Sequence, residues 1–179
     1  MKTPWHTAWQ GPDLVVFRDD AEVDRFPADQ IERVVMVHRG AGDTPGDLAF
    51  ALVELPQEYI LLPADTGFAG RVHFERLNFW AEKQCIYWVA ESKAPLPSRL
   101  KRGLWLLRSS SPAFARLPKG ELTSVVERWP VVGPQTWEQR KWLRIARSRP
   151  FASATSATEP GALEAVSTAP ASSATRRHA

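Results

Sequence analysis

Cysteine is almost absent from this 179-residue chain, which carries only Cys85. That scarcity excludes an intrachain disulfide framework and any cysteine-rich zinc module. Long apolar runs are missing too: the longest, such as Leu48 to Val53, reach about six residues, where a membrane-crossing helix needs about twenty. The start, Met1-Lys2-Thr3-Pro4-Trp5-His6, has no apolar stretch after its lysine, so a secretory signal is not expected and the reading is of a cytoplasmic, bacterial-type protein. No self-similarity appears at the periods of repeat proteins. A chain of this length suits one ordinary domain with appendages, and about 150 ordered residues bury roughly two-thirds of their unfolded surface.

Recognisable catalytic and metal-binding patterns are also lacking. The loop Arg39-Gly40-Ala41-Gly42-Asp43-Thr44-Pro45-Gly46-Asp47 is glycine-rich, but a strand-like run follows it where a phosphate loop needs a helix. Its aspartates would repel phosphate, so it reads as a hairpin loop. His6, His38, His73 and His178 are widely spaced, with no i, i+4 pair of the zinc type. His73 and Glu75 would share a face if their segment were a strand, an arrangement more typical of a surface pair than of a metal site. Asp13, Asp19, Asp20 and Asp24 lack the spaced pattern of a calcium loop. Ser109-Ser110-Ser111-Pro112 has no nucleophile elbow around it. Cys85 lies within an alternating apolar run and reads as a structural thiol. The sequence therefore assigns no catalytic, cofactor or metal residue, and an enzyme stands only as an alternative with an unmarked site in the β-rich half.

What the chain does have is a step in charge. Residues 1–90 hold 8 Lys/Arg against 14 Asp/Glu, residues 91–151 hold 13 against 4, and residues 152–179 hold 2 of each. A step of this size means that the basic part meets something acidic, either an external partner or the acidic part of the same chain. The last 28 residues contain 9 Ala, 5 Ser and 4 Thr. They offer too little apolar surface to offset their conformational entropy and read as a disordered tail.

The acidic half reads as β-rich. Leu14–Phe17, Glu22–Phe26, Ile31–His38, Leu48–Leu55, Tyr59–Leu62 and Cys85–Val89 are short apolar or alternating runs between turn signals, with a weaker strand around His6–Trp9. Between Gly67 and Lys83 a helix is favoured on length, although the strand pair Arg71–Phe74 and Leu77–Trp80 fits almost as well. With no crossover helices evident, the pattern predicts a mainly β (α+β) fold, a small antiparallel barrel or sandwich over residues 1–90. The stretch from Val15 to Leu62, with "DDAEVDRFPADQIERVVMV" at its centre, resembles bacterial pleckstrin-homology-like and GRAM-like domains. The resemblance implies a binding domain without catalysis, since most such domains bind lipids, peptides or proteins. No Lys/Arg cluster surrounds the first hairpin here, which argues against phosphoinositide binding.

The basic segment, residues 91–151, begins with a proline-containing connection and the cation-flanked run Arg99–Arg108 around Trp105. Glu121–Trp129 alternates moderately and stops at Pro130. Thr136 and Gln139 then match a capping box, and Pro150 ends a helix expected over about 137–147. At 100° per residue, Trp142, Leu143, Ile145 and Ala146 fall on one arc and Arg140, Lys141, Arg144 and Arg147 on the opposite one. Cations near the C-terminal end suit the macrodipole. Such a basic amphipathic helix caps its own domain, lies on an anionic membrane surface, clamps nucleic acid, or docks on a protein. The expectation taken forward is a non-catalytic adaptor that binds a protein partner through Trp105, Trp137, Arg140, Trp142, Leu143, Arg144 and Arg147. Nucleic-acid binding by the same segment is the alternative, and the membrane surface comes third.

Overall fold

The computed structural model describes residues 5–97, 100 and 114–148. Trp105 and the tail 152–179, both singled out above, lie outside the described residues. The chain divides after Leu143 into two compact units, and of the second only the end of a helix is described.

The fold is mainly β, an α+β arrangement of two sheets. Strands β1 (Trp5–Gln10), β2 (Asp13–Arg18) and β3 (Ala21–Pro27) form an antiparallel meander. Strands β4 (Arg33–His38), β5 (Leu48–Glu54), β6 (Glu58–Pro63), β7 (Ile86–Ala90) and β8 (Ala115–Pro118) form a second sheet in the order β7-β4-β5-β6-β8. Neither sheet closes into a barrel. Gly67–Lys83 contains a single helix, α1 (Arg71–Trp80), as its length suggested. That helix carries the chain from β6 across to the far edge, where β7 runs parallel to β4. The second sheet is therefore mixed rather than wholly antiparallel. The crossover that a parallel pair requires is present after all.

Strand composition follows from layering. Leu48 to Val53 are all buried because both faces of the second sheet are covered, a setting that favours continuous apolar runs over alternation. On one face Val34, Met36, Ala51, Ile60, Leu62 and Trp88 meet Leu14, Val16 and Phe26 of the first sheet, with Phe74 and Leu77 of α1. On the other, Val35, Val37, Phe50, Leu52, Leu61 and Val89 meet Leu122, Val126 and Trp129. Each fully buried aliphatic side chain contributes about 1.5–3 kcal/mol of transfer free energy.

The basic segment joins this core. It supplies β8 beside β6 and α2 (Lys119–Val126), a helix that takes up most of the moderately alternating run Glu121–Trp129. Leu122, Val126 and Trp129 stand at i, i+4 and i+7, a helical spacing that packs one stripe onto the sheet. Farther on, Trp88 exchanges two backbone hydrogen bonds with Val132 (2.8 and 2.7 Å), and Gln135 N donates to Ile86 O at 2.9 Å. These contacts deliver the chain to the start of α3 (Trp137–Ser148) beside β7. Among the described residues no helix is long and apolar enough to cross a membrane.

Candidate functional site

Helix α3 begins as its sequence dictates. Thr136 N donates to Gln139 Oε1 at 2.9 Å and Gln139 N to Thr136 Oγ1 at 3.3 Å, the reciprocal pair of a capping box. The docking register differs from the one suggested by apolar periodicity. Arg140, expected on the outer arc, turns inward and is half-buried, whereas Trp142 is 63% and Leu143 43% exposed. Lys141, Arg144 and Arg147 are exposed.

The reason lies at the ends of the parallel strands β4 and β7. Trp137, half-buried, meets Trp88 (centroids 5.2 Å apart) and Phe74 (5.9 Å, planes at 82°). One turn later the Arg140 guanidinium lies 4.8 Å from the Trp88 ring centroid, within cation–π range. Its Nη2 donates to Ala41 O at 3.1 Å and lies 2.7 Å from His38 Nε2. An arginine has no acceptor, so His38 Nε2 must present its lone pair, and the ring proton belongs on Nδ1, which lies 3.3 Å from Arg39 O. Burial first, then the Arg140 charge, hold the His38 pKa below the ordinary imidazole value, while the Asp47 carboxylate and the Arg39 and Gly40 carbonyls oppose this. His38 is thus a neutral acceptor that lets a cation dock on an aromatic surface.

The loop read as a hairpin does connect antiparallel β4 and β5, and it closes over this pair. Gly42 has φ +67°, and a Cβ there would stand 2.6 Å from His38 Cγ and 3.0 Å from Arg140 Nη2. Gly42→Ala should therefore cost roughly 2–4 kcal/mol, from left-handed strain plus overpacking. Equilibrium urea unfolding checks this, with Gly40→Ala as the comparison because nothing lies within 4 Å of that position.

Part of the charge step is satisfied inside the chain. Arg116 of β8 forks onto Asp24 through two 2.8 Å hydrogen bonds and also pairs with Glu58. Lys119 pairs with Glu32 at 2.6 Å and Glu54 at 3.1 Å, and Arg33 holds Glu54 at 2.7 Å. Arg25 takes Asp13 and Glu22. Three of the four aspartates considered for calcium, Asp13, Asp19 and Asp24, are therefore arginine partners.

His73 and Glu75 do not share a face, because their segment is helical. His73 turns toward Thr7 Oγ1 (3.4 Å to Nε2), while Glu75 pairs with Arg71 at 2.5 Å on the outside of α1. Burial raises the Cys85 thiol to about 11, the state of an inert structural thiol. Among the described residues no three His, Cys, Asp or Glu side chains come together as a metal site.

Sequence reasoning did not find His38, Trp88 or Phe74 as partners of α3. The one usable signal was His38 itself, a titratable residue ending an apolar strand just before a glycine-rich loop. No family model, curated protein or solved structure matches this chain.

Proposed function

We propose that this chain is a non-catalytic accessory protein that binds an acidic protein partner through the exposed face of α3. The observation that carries this reading is the division of labour along the helix. Trp137 and Arg140 are spent on holding α3 to Trp88 and His38, while Lys141, Trp142 and Leu143 are exposed. Tryptophan and arginine are the residue types most enriched at interface hot spots. The likeness to pleckstrin-homology-like domains supports the same reading. A cytoplasmic location fits a chain whose one cysteine is buried and free.

The nucleic-acid reading has less support. Arg116 and Lys119 are engaged with carboxylates of the same unit, which leaves fewer cations to follow a phosphate backbone. Catalysis has less support again, because the His38 lone pair faces Arg140 and the Cys85 thiol is protonated.

Affinity purification with and without nuclease tests the proposal. Trp142→Ala with Leu143→Ala should reduce capture at least tenfold, on the scale of about 1.4 kcal/mol or more for an interface anchor. Folding stability should stay within about 0.5 kcal/mol, because both side chains are exposed. Undiminished capture by the double variant, or capture abolished by nuclease, would discard the proposal.

A further inference from the structure

A cavity of about 310 Å³ opens between α1 and the first turn of α3. Its volume lies at the lower end of the range for small-molecule sites, room for a ligand of a few to a dozen heavy atoms. Phe74, Trp137, Arg71, Glu75, Asn78 and Glu138 are among the residues that line it. The α1 members stand at i, i+3, i+4 and i+7, so one stripe of that helix faces the site. All of them belong to the first compact unit.

The lining has a surplus of acceptors. Two carboxylates, from different helices, accompany one cation, and that cation is engaged: Arg71 Nε donates to Glu75 Oε1 at 2.5 Å. Glu138 adds its field to the same guanidinium from across the cavity. The apolar part is aromatic, with the Phe74 and Trp137 planes at 82° and their centroids 5.9 Å apart. Unmet demand at this site is therefore for positive charge that can also lie against aromatic carbon. Alkylated ammonium groups meet both conditions, since they are cationic and apolar at once and are drawn to aromatic rings.

We propose that the cavity between α1 and α3 is a binding site for a small organic cation of the alkylammonium class, seated against Phe74 and Trp137 and neutralised by Glu75 and Glu138. The claim is independent of the partner-binding reading, because it concerns the base of α3 and not Trp142 or Leu143. Both carboxylates are exposed, so binding should weaken as salt is added.

The probe is choline, followed through the assigned Trp137 indole resonance in the full chain, against its neutral isostere 3,3-dimethylbutan-1-ol. Choline should give a saturable shift at Trp137, with the isostere at least fivefold weaker. Glu75→Gln with Glu138→Gln turns the lining from net negative to net positive and should weaken choline at least fivefold while the melting temperature holds. A phenylacetate titration supplies the opposite charge and should leave Trp137 unmoved. Equal binding of the isostere would reduce the site to an apolar hollow. Preference for phenylacetate would reverse its sign, and no shift with any probe would remove it; each of these results overturns the proposal.

Discussion

Replacing Trp88 by alanine is expected to cost roughly 3–5 kcal/mol of folding stability. The side chain is 1% exposed, and its neighbours come from every part of the site. Phe74 stacks on it at 5.9 Å, Trp137 meets it at 5.2 Å, and Arg140 stands over the ring at 4.8 Å. The indole Nε1 also donates to Gln135 O at 3.2 Å, so truncation leaves a carbonyl without its donor as well as a cavity. Trp88→Phe keeps much of the packing and should cost less than half as much. Arg140→Ala in the Trp88→Ala background should have little further effect, because the cation would already have lost the ring it covers. Urea unfolding of the four proteins measures this cycle. Strict additivity would mean that Arg140 and Trp88 do not act as a unit.

Acidification should destabilise the chain in a window set by histidine. Burial pushes the His73 pKa down to about 4, and its Nδ1 finds no partner among the described residues. An unfolded imidazole titrates near 6.5, so between these values the unfolded chain binds more protons and stability falls as pH falls. The contribution is fully present above about pH 7, and its loss levels off below about pH 4, where both states are protonated. From pH 7 to pH 5 the expected loss is roughly 2 kcal/mol. His38, also lowered by burial and by Arg140, adds a loss of the same sign. Protonation there removes the acceptor that faces the guanidinium and sets two cations 2.7 Å apart, so α3 should loosen at its first turn in the same window. Asp47, whose carboxyl is held low by the Thr44 and Asp43 amides, contributes only at more acidic pH. His73→Phe keeps an aromatic ring near Phe68 and Trp9 but cannot titrate. Its unfolding free energy should be nearly flat from pH 7 to pH 5 apart from the His38 share. A slope equal to that of the parent would show that His73 is not the buried neutral group described.

Much of the fold was legible because burial on both faces leaves a plain mark. The runs at Leu48–Val53 and Tyr59–Leu62 are continuous in sequence because β5 and β6 have cover above and below. The capping box at Thr136 was legible because it is a local, reciprocal contact. Other features depend on distant residues. The strand β8 has four residues, and Leu117 is its one deeply buried side chain; it is fixed by β6 and by ion pairs from Arg116 and Lys119 to acids more than fifty residues away. Parallel pairing of β7 with β4 depends on α1 crossing two intervening strands, which no local pattern encodes.

Helix α2 is different, for Leu122, Val126 and Trp129 stand at helical spacing within a run whose moderate alternation obscures it. The orientation of α3 failed as a prediction for a chemical reason. Helical periodicity treats every arginine as outward-facing. Arg140 instead finds a neutral imidazole, a carbonyl and an indole face, which together replace its water. Nothing in residues 137–147 alone announces those partners. Placing Trp142 and Leu143 outward follows from the same register, since Trp137 and Arg140 fix the inner face.

The most direct test of the central claim is photo-crosslinking in cells from a photoreactive phenylalanine analogue placed at position Trp142. Position Val23, 46% exposed on β3, serves as the control. A discrete protein adduct from Trp142, absent from Val23 and resistant to nuclease, is the predicted result. The same adducts from both positions, or adducts from Trp142 that disappear on nuclease digestion, would contradict it.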